Sequence, residues 1–100
     1  MAQIGTFTRD ENGTYAGTIK TLTINVKVTI KPVSKDNEKA PDYRVNANNG
    51  VELGAGWRKA ARDSGAEYVS VKLDDPYFTG PVCATLVQGD NGEHKLIWSR

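Results

Sequence analysis

From Thr21 to Lys31 the chain alternates without interruption: Leu22, Ile24, Val26, Val28 and Ile30 are apolar, while Thr21, Thr23, Asn25, Lys27, Thr29 and Lys31 are polar. A period of two over this length describes a β-strand with one buried face and one wet face, because helical stripes recur at three and four. The chain is therefore expected to build an antiparallel, half-solvated sheet. The apolar parity changes between Ile19 and Leu22, which places a bulge or corner near Lys20 and Thr21.

Asn-Gly occurs three times, at Asn12-Gly13, Asn49-Gly50 and Asn91-Gly92, each between stretches rich in β formers. Glycine takes positive φ without steric cost, which makes this dipeptide a strong hairpin signal. Parity then selects the loop length, since a slip of one residue turns a whole strand over. Three-residue loops ending in glycine pair Phe7 with Gly17, Val45 with Leu53, and Leu86 with Leu96, keeping the apolar residues on one face. A fourth hairpin is expected to turn at Asp63, Ser64 and Gly65, setting Trp57 opposite Val71.

About eight strands follow: residues 4–8, 14–19, 22–30, 43–47, 51–59, 67–73, 82–87 and 95–99. The fold expected is all-β, a small antiparallel barrel or sandwich of hairpins, an OB-like barrel among the possibilities. A chain of 100 residues supports one such domain over residues 1–100, burying about two-thirds of its unfolded surface.

Composition narrows function mainly by exclusion. Net charge is +1, so there is no bulk basic field of the kind that marks a strong duplex binder. Residues 27–72 hold nine basic and six acidic side chains, a net of +3, while residues 73–100 carry −2. The single cysteine, Cys83, has no internal partner, and no N-terminal apolar run resembles a signal peptide or a membrane span. A cytoplasmic location without membrane association is expected. His94 lies beside a hairpin turn, where exposure is expected, and Cys83 lies on a strand's polar face without a histidine at nucleophile spacing. Asp74 and Asp75 precede Pro76 and suit a turn. No catalytic residue, metal ligand set or cofactor motif is read, and the expectation is a non-enzyme.

The polar face of the central hairpins is the candidate site. If odd positions from Val51 to Trp57 point inward, then Gly54, Gly56 and Arg58 point outward, with Arg44 on one flank and Tyr68 and Lys72 on the other. Two glycines would leave a bare backbone strip ringed by cations, with Tyr68 as a stacking platform. A single-stranded DNA or RNA could lie across such a strip. The competing reading gives Gly54 and Gly56 to barrel curvature and the charges to solvation. Trp57 and Trp98 are expected in the core. Tyr77 and Phe78, between two prolines, are candidates for contact with a protein partner.

MAQIGTFT at the start, GTIKTLTINVKVTIKPV at Gly17 to Val33, APDYRV at Ala40 to Val45, YVSVKLDDP at Tyr68 to Pro76 and HKLIWSR at the end together resemble the bacterial domain-of-unknown-function family seven-three-six. The resemblance spans essentially the whole chain. It implies a small stand-alone protein, typically proteobacterial and often encoded on plasmids or integrated elements near conjugation genes, and it brings no established activity. The PDYRV, GxxWRK and YVSVK segments are more loosely similar to small phage proteins suspected of handling single-stranded DNA. Together these point to a weak single-stranded nucleic-acid-binding accessory of mobile elements. The alternative is a protein-interaction module, homo-oligomeric or serving a conjugation or replication complex.

Overall fold

The computed structural model describes residues 2–22, 24–47, 50–76, 80–89 and 92–98. They form eight strands: β1 (Ala2–Arg9), β2 (Tyr15–Lys20), β3 (Asn25–Pro32), β4 (Tyr43–Ala47), β5 (Glu52–Ala60), β6 (Glu67–Leu73), β7 (Val82–Gln88) and β8 (Glu93–Trp98). Each pairs antiparallel with the next, and β8 returns to β1 to close the barrel. Of the arrangements left open by the sequence, the chain takes the simple up-and-down meander. Closure satisfies the backbone groups that an open sheet would leave along its edges.

Alternation fills the interior. Phe7, Ile30, Val45 and Leu96 are wholly buried, and Ile19, Val28, Val71, Leu73 and Leu86 pack with them. Each such side chain contributes about 1.5–3 kcal/mol on leaving water, and an eight-stranded barrel is just wide enough for side chains to fill. Trp98 packs against this core as expected. Outward positions carry Lys27, Lys31, Arg44, Lys59 and Lys72, all exposed. This is the inverse of a lipid-spanning barrel, which turns its apolar band outward. Among the described residues no helix is long and apolar enough to cross a membrane.

Three hairpins close as the Asn-Gly spacing predicts. Gly13, Gly50 and Gly92 all have positive φ, and the pairs Phe7 with Gly17 and Leu86 with Leu96 are formed. At the third site Gly50 N–H donates to Ala47 C=O and Ala47 N–H to Val51 C=O, which defines the same three-residue loop.

Two expectations fail, each for a local reason. The alternation from Thr21 runs past the strand that it announces: β3 starts at Asn25, and the chain reverses between Thr21 and Ile24, with Thr21 N–H donating to Ile24 C=O and Ile24 N–H to Thr21 Oγ1. An even-length turn changes parity by itself, so Ile19 pairs with Val26 without a bulge. Leu22 stands at the tip, fully exposed.

The second failure is larger. Beyond the turn at Gly50 the register shifts from Asn46 opposite Glu52 to Val45 opposite Gly54. Leu53 is the extra residue; it keeps contact with the core, and every residue after it is turned over. Trp57 therefore faces outward opposite Ser70, instead of inward opposite Val71. The β5–β6 hairpin carries the new register through a longer turn, in which Ala61 N–H donates to Ala66 C=O and Gly65 N–H to Ala61 C=O.

Candidate functional site

The turned-over strand divides the expected strip. Gly54 and Gly56 pair with the inward-facing Val45 and Tyr43, and Arg58 pairs with the buried Val69, so these three belong to the barrel's inner face. The backbone strip is absent from the outside because the Leu53 bulge reverses the parity on which it depended. A Cβ at Gly56 would come within 2.9 Å of Val69 Cγ1 and 3.5 Å of Tyr43 Cβ; the missing side chain makes space for its neighbours.

Arg44, Tyr68 and Lys72 remain on outward positions. Arg44, Ala55, Lys72 and Cys83 lie in one row across β4 to β7, and Arg44 Nη1 is ion-paired with Glu52 Oε1. The next outward pairs on β5 and β6 are Trp57 with Ser70 and Lys59 with Tyr68. Trp57 and Tyr68 are thus diagonal cross-strand neighbours, a spacing of about 7–8 Å between Cα atoms. Both are half-buried. The Trp57 indole donates from Nε1 to the Lys39 carbonyl at 3.1 Å, tying the connection of residues 33–42 to β5. Asp42 strengthens that tie, since its Oδ2 accepts from Arg58 N–H at 2.8 Å while Oδ1 pairs with Lys35 Nζ at 3.2 Å. The Arg58 backbone bond, first, and Lys35 hold the Asp42 carboxyl below its usual range. Tyr77 and Phe78 lie outside the described residues.

Arg58 leads instead to a pocket at one end of the barrel, of about 240 Å³. Arg9, Tyr15, Tyr43, Arg58, Gln88 and His94 line it, above the apolar Val69 and Leu86. Arg58 donates from Nη2 to the Tyr43 hydroxyl at 3.0 Å, and each guanidinium carbon lies 5.7 Å from a tyrosine ring centre, Arg9 over Tyr15 and Arg58 over Tyr43. The Tyr15 ring meets Tyr43 edge-on at 5.9 Å and His94 edge-on at 4.9 Å.

Electrostatics follow from this packing. Burial, and then the neighbouring Tyr43, raise the Tyr15 hydroxyl above its ordinary value, so it stays protonated. Burial, and then the Arg9 charge, lower His94, so the imidazole is held neutral more firmly than a free one. His94 is consequently a half-buried wall of the pocket, contrary to the exposed position expected beside a turn. Among the described residues, no grouping of histidine, cysteine and carboxylates suits a metal ion.

Sequence reasoning missed this pocket although its signal is present. Arg9 lies two residues beyond Phe7, Gln88 two beyond Leu86, and His94 two before Leu96. All continue an inward parity to the strand end, where a polar side chain at an inward position marks the barrel mouth.

Neither the curated proteins nor the solved structures contain a match to this chain. The family model described as "Protein of unknown function (DUF736)" matches residues 3–100, and the chain belongs to that family.

Proposed function

We propose that the protein is a non-enzymatic, weak single-stranded nucleic-acid-binding accessory, and that its contact surface is the outer face of β4 to β6. One observation carries the reading: the Leu53 bulge turns Trp57 outward beside Tyr68, two rings on a surface that also holds Lys59 and Lys72. Bases stack on exposed aromatic faces irrespective of sequence, and neighbouring cations meet phosphate. Arg44 contributes less, because Glu52 already neutralises it. Compared with the glycine strip, this face exchanges a bare floor for a second stacking ring. Service to a mobile element belongs to the same proposal and draws on the family resemblance, and a cytoplasmic location draws on the single cysteine, Cys83.

Titration with a fluorescently labelled oligothymidylate at low salt tests it. Binding should weaken as salt rises, with a slope corresponding to about two or three phosphate contacts. Trp57→Ala and the pair Lys59→Glu, Lys72→Glu should each reduce it about tenfold or more, since one stacked base is worth about 1–3 kcal/mol. Binding that ignores both substitutions, or none at high protein concentration, overturns the reading.

A second reading, a protein-interaction module, is favoured by Leu22, which is fully exposed at a turn tip. Val51, also exposed, follows the turn at the same end of the barrel, opposite the pocket. Light scattering over a concentration series, with Leu22→Asp beside the native chain, tests self-association through that end. Equal masses for the two proteins, both monomeric throughout, would remove the homo-oligomeric form of this reading.

A further inference from the structure

Arg9 and Arg58 stand on β1 and β5, four strands apart in either direction around the closed barrel, and both line the same mouth. We propose that this mouth is a binding site for a small organic oxyanion, a carboxylate or a phosphate ester, held between the two guanidiniums with its body against Tyr15 and Tyr43.

Three features support this. Among the described residues neither guanidinium forms an ion pair with a carboxylate; the ion pairs found are Lys35 with Asp42 and Arg44 with Glu52. Each arginine is instead spread over a tyrosine ring, which orients the fork without neutralising it. Among the described residues Glu67 is the single carboxylate on the pocket wall, so two positive charges there face one negative charge. Guanidiniums are suited to planar, two-pronged recognition of carboxylate and phosphate, and such charge-assisted bonds are about twice as strong as neutral ones.

The second feature is the hydroxyl. Tyr43 accepts from Arg58, which fixes where that guanidinium stands in the mouth. The third is the lining. The accessible wall is chiefly polar, formed by Arg9, Arg58, Gln88 and His94, with the nearly buried Val69 and Leu86 beneath it, which suits a charged ligand better than an apolar one. The volume of about 240 Å³ admits a small acid and excludes a folded polymer. The site meets the Trp57 face at Tyr68, which also lines the pocket, and neither proposal depends on the other.

The test is a titration of the full chain with phenyl phosphate, benzoate and inorganic phosphate, at constant ionic strength made up with chloride, following the His94 imidazole resonances by NMR. A saturable shift with a dissociation constant of roughly millimolar or tighter is expected for phenyl phosphate, benzoate or both, and their ratio distinguishes phosphate from carboxylate. Inorganic phosphate should bind more weakly, lacking the body that meets the tyrosines. Arg9→Gln and Arg58→Gln should each weaken binding about tenfold or more, Arg58→Lys should weaken it less, and Lys27→Gln, exposed on β3 away from the mouth, should leave it unchanged. Bound anion should also raise the pH at which His94 titrates, since a nearby negative charge favours imidazolium; a merely structural role for the arginines would not produce that rise. The proposal is overturned by an unsaturated drift of His94 with all three anions, which is adventitious ion binding only. Equal affinities in the native, Arg9→Gln and Arg58→Gln proteins, with their folds verified by amide spectra, also overturn it.

Discussion

The Arg58 guanidinium donates from Nη2 to the Tyr43 hydroxyl at 3.0 Å while its central carbon lies 5.7 Å from the centre of the same ring. Tyr43 is almost wholly buried, so one residue joins the barrel core to the charged mouth. Tyr43→Phe keeps the ring and the core volume and removes the acceptor. The expected loss is about 0.5–1.5 kcal/mol, at the modest end because Arg58 is exposed and can turn to water. Urea unfolding should show a lower midpoint with an unchanged slope. An unchanged midpoint would mean that the bond orients Arg58 without stabilising the fold.

Phe7 fills the barrel across the bare backbone of Gly17, its partner on β2. A Cβ at Gly17 would run into the Thr6 carbonyl oxygen and come within 2.8 Å of Phe7 Cα and 2.9 Å of its Cδ2. Neither strand can yield without opening the ladder. Gly17→Ala should therefore cost about 2 kcal/mol or more. Gly80→Ala, where an added methyl meets nothing, should stay within about 0.5 kcal/mol. Thermal unfolding of the two variants side by side checks the contrast, and equal melting temperatures would refute it.

These residues also show how far the sequence could be read. The Phe7 to Gly17 and Leu86 to Leu96 pairs were legible because an Asn-Gly turn and strict alternation agree on one register. The reversal between Thr21 and Ile24 was hidden because Thr-Leu-Thr-Ile contains no glycine, proline or asparagine and continues the alternation of the strand behind it. The Leu53 bulge was hidden for another reason. With Gly54 and Gly56 carrying no side chain, either parity of β5 looks acceptable, and apolar Leu53, Ala55 and Trp57 favoured the wrong one. Hence the outer face lost Gly54, Gly56 and Arg58 and gained Trp57. The mouth pocket could be assembled only after closure set β1 opposite β5, a long-range fact that no local pattern contains.

Leu22 and Leu96 are the same residue type at the two extremes of burial, the first fully exposed and the second at 0%. Leu22→Ser should change unfolding free energy by no more than about 0.5 kcal/mol. Leu96→Ala should cost about 2–5 kcal/mol, the transfer term plus the cavity left in a closed core. Denaturant titration separates these outcomes clearly. A large loss at Leu22 would show that the turn tip packs against something in solution.

Acid should weaken the barrel in two separate steps. His94 has its imidazole pushed below the ordinary value by burial and by Arg9. Below about pH 6.5 the unfolded chain takes up a proton there while the folded barrel resists it. The unfolded state then binds more protons, so stability falls as pH drops through this range and levels off below the folded value. Asp42 behaves differently. Its carboxyl is depressed, chiefly by the Arg58 backbone N–H, so its contribution is complete above the ordinary carboxylate range and is lost only as pH falls below about 4. His94→Gln should therefore flatten the stability profile between about pH 7 and pH 5 and leave the steeper acid limb in place. Asp42→Asn should do the reverse. Chemical denaturation at closely spaced pH values measures both, and parallel profiles for the native and His94→Gln proteins across the upper window would show that His94 is not held neutral by the fold.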